Sequence, residues 1–452
     1  MGSPPASSTG HARPSVRRAA RLGAVAAVLS GVVLALLWLP HLFRAAPLRL
    51  VVSPGDSAGL PSFGVGRFTV AVAALAGVGL EPSPTGQVLT DGGGTFPVLY
   101  QDLRSARRSI TMQVYYKSGG AVADSVRRIL VERARAGVSV HFMHDAFGSE
   151  ALPTHYSDAL RAAGVRVATF RPFRWYELDR VGHRSHTRAI VIDGRVGYTG
   201  GYGLDDKWLG SGRRPGEWRE TNVRITGHAV RQLQAAFVEE WAEATGELLT
   251  GSLLFPEMDG PPAEAGAGVP ALSGVVHSIP SAGTSPAERL LALSIVGARR
   301  TLFISNAYFL PNASFRRLLA DAARRGVDVR VLTNGAEIDI GLARLASRAR
   351  YEELLAAGIR IFEYQPSMMH AKTFVADGVW AGIGTANFDN RSLALNNEVM
   401  YVALDPALGV VMDSLFTADI AFAREIQLSE FRRRPWTERV RERAAALLER
   451  LL

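Results

Sequence analysis

Apolar and polar positions alternate along this chain in a pattern that occurs twice. A helical stretch ending in glycine precedes a β-branched strand at residues 132–145 and again at 321–334. ARRSI at 106–110 corresponds to ARRTL at 298–302, and LRAAGVRV at 160–167 corresponds to LLAAGIRI at 354–361, always with an offset of about 190 residues. We therefore predict a duplicated α/β unit, with a mostly parallel or mixed sheet in each half and helices on both faces.

The N-terminal region contains an uncharged apolar run at residues 22–39 that is long enough to cross a bilayer as one helix. More arginines precede the run than closely follow it, which favours a cytoplasmic N-terminus and a catalytic region on the other side of the membrane. A buried core helix and a cleaved signal peptide are the alternatives.

The C-terminal region has helical periodicity. Residues 436, 440, 444, 447, 448 and 451 are apolar and fall on one face, with charged residues mostly elsewhere. Such a helix lies on an anionic membrane surface or packs its apolar face against the domain, and the sequence favours neither.

These patterns divide the chain into seven segments. We expect a basic N-terminal tail (1–21), a transmembrane helix (22–40), a juxtamembrane segment (41–85), a first half (86–250), a Pro- and Gly-rich linker (251–272), a second half (273–430) and an amphipathic C-terminal helix (431–452).

Composition narrows the chemistry only slightly. The 452 residues are 47% apolar, which is enough for two domains or one large duplicated domain. A formal charge of +9 favours polyanions, and anionic lipid and nucleic acid satisfy this equally. The absence of cysteine excludes disulfides, thiolate catalysis and cysteine–zinc sites.

Each half closes on a histidine that is followed by a cation. HTRAIVIDG begins at His186 and HAKTFVADG begins at His370. Residues two apart on a strand face the same side, so Arg188 and Lys372 should each share a pocket with the preceding histidine. A histidine exchanges protons or attacks phosphorus near neutral pH, and the cation neutralises phosphate oxygens. The pattern predicts phosphate chemistry.

The aspartates that close these two segments have the opposite strand parity. Asp193 and Asp377 are therefore poorly placed to orient the histidines of their own segments. We expect them to have structural, turn-stabilising roles.

The second segment is a full HxKx4D motif, followed by Gly384 and by NFDNRSLALNNE at 387–398. It resembles the signature of the phospholipase D superfamily. HDAFGS at 144–149, SPAERL at 285–290, NAYFLP at 306–311 and LNNE at 395–398 make the resemblance closest to bacterial cardiolipin synthases, over about residues 91–428. It implies a duplicated phospholipase D-like fold, with two α/β/α halves packed pseudo-symmetrically around one shared active site.

The resemblance also implies a reaction in two steps. Displacing an alcohol from a phosphodiester needs a nucleophile and a proton donor, and one histidine cannot be both at once. His186 would form a phosphohistidine intermediate while His370 acts as the acid, and His370 would then deprotonate the incoming hydroxyl. Arg188 and Lys372 would supply the positive charge, so that no metal or other cofactor is required.

Further residues take their expected roles from the same resemblance. An acidic residue, here Glu398 and by analogy Glu220, would hydrogen-bond the histidine and hold its tautomer. The residues expected to contact substrate are Asn387, Ser392 and Tyr308.

Two positions depart from the family pattern. Arg188 replaces the usual lysine, which keeps the charge but changes its geometry. Gly203 stands where the GGxN pattern has an asparagine. Together they give an alternative in which the first half is impaired and the protein only binds a membrane surface.

The sequence thus predicts a phosphatidyltransferase in a bacterial cell membrane, held by a single N-terminal anchor with its catalytic region outside the cytoplasm. The favoured reaction joins two phosphatidylglycerol molecules into cardiolipin and glycerol. A hydrolytic phospholipase D and a nuclease are the enzymatic alternatives. A nucleic-acid partner is not expected, because the apolar run and the basic amphipathic C-terminal helix place the site beside lipid.

Overall fold

The computed structural model describes residues 2, 23–35, 48, 62–64, 66–173, 175, 182–257, 271–280 and 283–449. The chain divides into two units, Met1–Ala45 and Ala46–Leu452. In the first unit, residues 23–35 form helix α1, whose side chains are exposed. The rest of the predicted span at 22–40 and most of the predicted tail, juxtamembrane segment and linker lie outside the described residues. Within the described ranges, no helix is both long enough and apolar enough to cross a membrane.

The second unit begins with helix α2 and strand β1 and continues into the first half of the duplication. Its elements are α2 (Arg67–Ala76), β1 (Glu81–Pro82), β2 (Gln87–Thr90), α3 (Asp91–Ser105), β3 (Ser109–Val114), β4 (Tyr116–Gly119), α4 (Ala121–Arg135), β5 (Ser139–Asp145), α5 (Thr154–Ala162), β6 (Arg166–Phe170), β7 (Ala189–Ile192), β8 (Val196–Gly200), β9 (Leu204–Asp205), β10 (Trp218–Arg219), β11 (Thr221–Thr226) and α6 (His228–Thr245). Seven of these strands form one sheet in the order β2-β11-β8-β7-β3-β5-β6.

The second half follows the linker region. Its elements are β12 (Leu272–Ser278), α7 (Pro286–Gly297), β13 (Thr301–Asn306), α8 (Ala313–Arg324), β14 (Asp328–Asn334), α9 (Gly341–Arg348), α10 (Tyr351–Ala356), β15 (Arg360–Tyr364), β16 (Met368–Met369), β17 (Lys372–Ala376), β18 (Trp380–Gly384), α11 (Asn390–Ala394), β19 (Glu398–Leu404), α12 (Pro406–Ile420), β20 (Ala423–Glu425), α13 (Leu428–Arg432) and α14 (Trp436–Ala446). The sheet order is β1-β12-β19-β18-β17-β13-β14-β15-β20.

The seven inner strands of the second sheet repeat the first sheet in order and in direction. In each half, three neighbouring strands (β3, β5 and β6; β13, β14 and β15) are parallel. The remaining four join them in antiparallel pairs. The predicted duplication of a mixed α/β unit is confirmed.

The central strands are continuous apolar runs because both faces of each sheet are covered. Every residue of β7 and of β17 is buried, for example. Two helices of the second half begin at a capping side chain followed by proline. Ser285 Oγ accepts a hydrogen bond from Glu288 N before α7, and Asp405 accepts hydrogen bonds from two backbone amides before α12.

An apolar core lies between the two sheets. Val191 and Val223 of the first half pack there with Val375, Ile383 and Tyr401 of the second half, and all of these residues are buried. Separating the halves would expose this core to water at a cost of about 25 cal/mol per Å². The shared core therefore fixes the position of one half against the other.

The aspartates that end the two motif segments hold equivalent turns. Asp193 and Asp377 both have φ near 54°, in the left-handed region. Each carboxylate accepts hydrogen bonds from three consecutive backbone amides, at 107–109 for Asp193 and at 299–301 for Asp377. These amides lead into β3 and β13, so each aspartate fixes the start of a central strand. Neither aspartate lines the cleft described below.

Helix α14 lies against the body through a face different from the predicted apolar one. Its buried residues are Glu442, Ala445 and Ala446, and Glu442 pairs with Arg348 at 3.1 Å and with Arg434. The predicted apolar face points to solvent, with Trp436 74% exposed, Val440 52% and Leu447 84%. Residue 451, the last of the predicted stripe, lies outside the described residues.

Replacing Asp377 tests the turn. Asp377→Ala removes all three acceptor contacts and should lower the free energy of unfolding by about 1–3 kcal/mol, as measured by urea denaturation. Asp377→Asn is the matched control, because asparagine keeps an acceptor oxygen and tolerates the left-handed conformation. Equal losses in both variants would contradict a turn held by these hydrogen bonds.

Candidate active site

Two short backbone pairings cross from one half to the other. Strand β10 pairs in parallel with β16, and His370 N donates to the carbonyl of Arg219 at 2.7 Å. Ser185 forms a bridge with Asn397, and His186 N donates to the carbonyl of Asn397 at 2.9 Å. Each histidine is thereby placed beside the residue that precedes a glutamate of the opposite half.

The side chains complete these crossed pairs. His186 Nδ1 lies 2.9 Å from Glu398 Oε2, and His370 Nδ1 lies 2.5 Å from Glu220 Oε2. Each ring is thus held in the tautomer that carries its proton on Nδ1, which leaves the lone pair on Nε2. The sequence named both glutamates as histidine partners, and the structure assigns each one to the histidine of the other half.

Both glutamates are fully buried, and burial raises the pKa of each carboxyl. Different donors support them. The hydroxyls of Ser392 and Thr385 donate to Glu398, whereas the indole of Trp208 and a backbone amide donate to Glu220. Ser392 was predicted to contact substrate. It lines the cleft, but its one hydroxyl hydrogen is directed at Glu398, so it supports the carboxylate.

The two motif cations occupy different surroundings. Arg188 is buried at the cleft wall, where Nε donates to Tyr202 O at 2.8 Å and the guanidinium stacks on the Tyr115 ring at 4.9 Å. Lys372 donates to the carbonyl of His370 and is not among the described residues that line the cleft. Burial lowers the pKa of Lys372 to about 7, and the charge of Glu220 opposes that effect. Strand parity predicted both cations at the pocket, but of the two only Arg188 lines the cleft among the described residues.

Gly203 has a packing explanation. A Cβ atom at this position would lie 2.7 Å from the ring of Trp208, which is closer than a carbon contact permits. Trp208 is buried and supports Glu220 through its indole nitrogen. The glycine therefore makes room for Trp208, whose indole supports Glu220 as the Ser392 and Thr385 hydroxyls support Glu398.

Restoring the family asparagine should accordingly do harm. Gly203→Asn overpacks the Trp208 ring and should cost about 1–3 kcal/mol of stability, seen as a lower thermal unfolding midpoint. Gly79→Asn is the control, since a Cβ atom there meets nothing within 4 Å. An unchanged midpoint in Gly203→Asn would show that the close approach of Trp208 does not constrain position 203.

The two histidines have different neighbours. The His370 ring lies 4.7 Å from the Trp218 ring and 5.5 Å from the Trp208 ring, whereas the His186 ring has the edge of Tyr115 at 5.3 Å. His370 is therefore enclosed by larger aromatic side chains than His186. The His186 side chain is 13% exposed and that of His370 is 5% exposed. No motif in the sequence pointed to either tryptophan.

Both histidines open into one cleft of about 410 Å³. Asn387 and Tyr308, which were predicted to contact substrate, also line it. The Asn387 Oδ1 atom has no hydrogen-bond partner among the described residues, whereas the Tyr308 hydroxyl donates to Asp339 at 2.5 Å. The cleft also contains charged residues absent from the sequence prediction, namely Arg184, Asp339, Asp389 and Arg391.

A duplicated mixed sheet that joins two histidine–glutamate pairs over one cleft defines the phospholipase D class of phosphotransferases. The family described as "Cardiolipin synthase, PLD-like domain" matches residues 99–241 and 291–420, which include both histidines and both glutamates. The chain belongs to this family, as the sequence motifs predicted.

Curated relatives agree with this assignment. The chain is 37% identical to the cardiolipin synthase of Geobacillus kaustophilus over 81% of this chain and 72% of the relative. It is 33% identical to that of Halalkalibacterium halodurans over 84% of this chain and 74% of the relative. Among solved structures, the phosphatidylserine synthase of Haemophilus influenzae matches 86% of this chain and 100% of its own with a TM-score of 0.63, at 12% identity. That last likeness shows the fold alone.

Proposed function

We propose that this protein is a cardiolipin synthase that transfers the phosphatidyl group of one phosphatidylglycerol molecule to a hydroxyl of a second one. The observation that carries the proposal is the pair of crossed histidine–glutamate contacts at a single cleft. It supplies two histidines with matched tautomers, as a displacement in two steps requires. Relatives with similar sequences over most of this chain are named cardiolipin synthases.

In the first step, Nε2 of His186 attacks the phosphorus of the donor lipid. The bond from phosphorus to the glycerol oxygen breaks, and protonated His370 gives its proton to that oxygen as glycerol leaves. The product is a phosphatidyl group on His186. Glu398 stabilises the positive ring through Nδ1, and Arg188 neutralises charge on the phosphate oxygens.

In the second step, neutral His370 accepts the proton of the acceptor hydroxyl. The hydroxyl oxygen attacks phosphorus, the bond from nitrogen to phosphorus breaks, and His186 is regenerated. Glu220 supports the returning positive charge on His370. Water in place of the lipid hydroxyl would give phosphatidic acid, which is the hydrolytic alternative.

The test uses purified full-length protein in phosphatidylglycerol vesicles. We expect cardiolipin and glycerol in equal amounts with little phosphatidic acid. His186→Ala and His370→Ala should each lower the rate by at least about 10²-fold, because neither histidine can perform the role of the other. His155→Ala, at an exposed histidine of α5, is the matched control and should be unaffected. Phosphatidic acid as the main product would replace the synthase by a hydrolase.

The membrane attachment is also a proposal. The apolar run at residues 22–40 would act as a single-pass anchor in a bacterial cell membrane, with the body on the extracytoplasmic side. The exposed apolar face of α14, with Trp436, Val440 and Leu447, would rest on the lipid surface beside its arginines. The docked face of α14 packs on α9, and the neighbouring Ile340 and Ala343 line the cleft, so this contact would bring the lipid surface close to the cleft.

The full-length protein should be released from membranes only by detergent. After removal of residues 1–45, the shortened protein should bind vesicles only in a way that salt weakens. In this shortened protein, the double change Trp436→Ser and Leu447→Ser should weaken vesicle sedimentation at least about tenfold, because each side chain loses lipid burial. Val70→Ser, at another exposed apolar residue, is the control. Unchanged sedimentation would remove α14 from the membrane contact, and protection of the body from protease added to spheroplasts would reverse the proposed side.

A further inference from the structure

We propose that Arg184 and Arg391 form a second phosphate site in this cleft, which binds the phosphate of the acceptor molecule while the donor phosphorus is on His186. The proposal rests on the proposed function and specifies how the acceptor is recognised. It assigns a ligand chemistry, namely a phosphate group one glycerol unit away from the attacking hydroxyl, to two arginines outside the HxKx4D motifs.

The segment that carries His186 presents alternate side chains to the cleft. Arg184, His186 and Arg188 all line it. The intervening Ser185 and Thr187 make buried hydrogen bonds elsewhere: Ser185 accepts from Gln113, and Thr187 donates to Glu240. This alternation is that of extended backbone, and it puts one arginine on each side of the histidine along the same face.

Arg184 is buried but incompletely paired. Its side chain is 3% exposed, Nε donates to the carbonyl of His183 at 2.9 Å, and Nη2 donates to the carbonyl of Arg171 at 2.8 Å. The Oδ2 atom of Asp145 lies 3.7 Å from Nε. The buried Nη1 atom has no hydrogen-bond partner among the described residues. A buried charged donor without an acceptor is unfavourable, so an anion in the cleft would complete this site.

Arg391 faces the same cleft from the other half. It is exposed at the start of α11, and no hydrogen bond or ion pair of its side chain occurs within the described part of the chain. Burial lowers the pKa of Arg184, and the positive charge of Arg391 contributes to that lowering. Two like charges that repel across one cleft are both stabilised when an anion binds between them.

The donor phosphate does not account for these two residues. Arg188 already provides a guanidinium beside His186 for the transferring group. A synthase that joins two phosphatidylglycerol molecules must hold a second phosphodiester, since the acceptor glycerol carries its own phosphate. A hydrolase has no such requirement, because water carries none. The second site would therefore favour a phosphate-bearing acceptor over water or free glycerol.

The test compares two soluble acceptors that differ only by a phosphate. Full-length protein in phosphatidylglycerol vesicles receives labelled glycerol or labelled glycerol 3-phosphate, and transfer of the phosphatidyl group to each is followed. The wild-type protein should have the higher kcat/KM for glycerol 3-phosphate. Arg391→Ala should lower that preference about tenfold, and Arg391→Lys should keep most of it because the charge remains.

Two further variants protect the test against loss of folding. Arg184→Lys keeps the positive charge but loses the planar guanidinium that can donate two parallel hydrogen bonds. It should also lower the preference for glycerol 3-phosphate over glycerol. Arg135→Ala, at an exposed arginine of α4 outside the cleft, should behave as wild type. The proposal is overturned if the wild-type protein shows no preference, or if Arg391→Ala and Arg184→Lys both retain it.

Cardiolipin measured in the same reactions separates the two proposals. A retained preference for glycerol 3-phosphate without cardiolipin would contradict the proposed function and support the phosphate site. Cardiolipin formation by a wild-type protein that does not distinguish the two acceptors would support the function and overturn the site.

Discussion

The structure depends on the contact between each active-site histidine and a glutamate that belongs to the opposite half. Neither half contains a complete pair, so the site exists only when the two sheets are held in one relative position. The apolar core between the sheets and the two crossing backbone pairs supply that constraint. Because the glutamates are fully buried, a small displacement of the halves would leave a carboxylate without its partner, which is strongly unfavourable. Stability and chemistry are therefore linked through the same four side chains.

The two halves share a backbone topology but differ in the side chains around their histidines. Glu398 is supported by two hydroxyls, and Glu220 by an indole and an amide. Trp208 and Trp218 surround His370, whereas Tyr115 meets His186. The two imidazoles therefore lie in different surroundings although their backbones are equivalent. At Gly203, the departure from the family pattern accompanies this difference in surroundings, because the glycine makes room for Trp208.

The sequence predicted features that depend on local pattern. Periodicity and repeated segments are enough for the duplication, which is confirmed, and the motifs are enough for the family. The crossed pairing depends on how two sheets dock, which no local pattern encodes. Trp208 could have been suspected from Gly203, since a glycine in place of a side chain often accompanies a bulky neighbour. Arg184 had a signal as well, because it lies two residues before His186, and residues two apart on extended backbone face the same side. For α14, periodicity identified an apolar stripe but not which face the body would cover, and a charged pair with Arg348 decided that.

The crossing of the pairs also bears on the origin of the chain. If a single ancestral half carried one histidine and one glutamate at these positions, its own two groups would not have met, and a working site would have required two copies related by a twofold axis. Joining two such copies in one polypeptide would remove the dependence on concentration and would let each copy change separately. The halves differ at the corresponding positions 203 and 387, where one has glycine and the other asparagine, whereas both keep the histidine and the glutamate that cross.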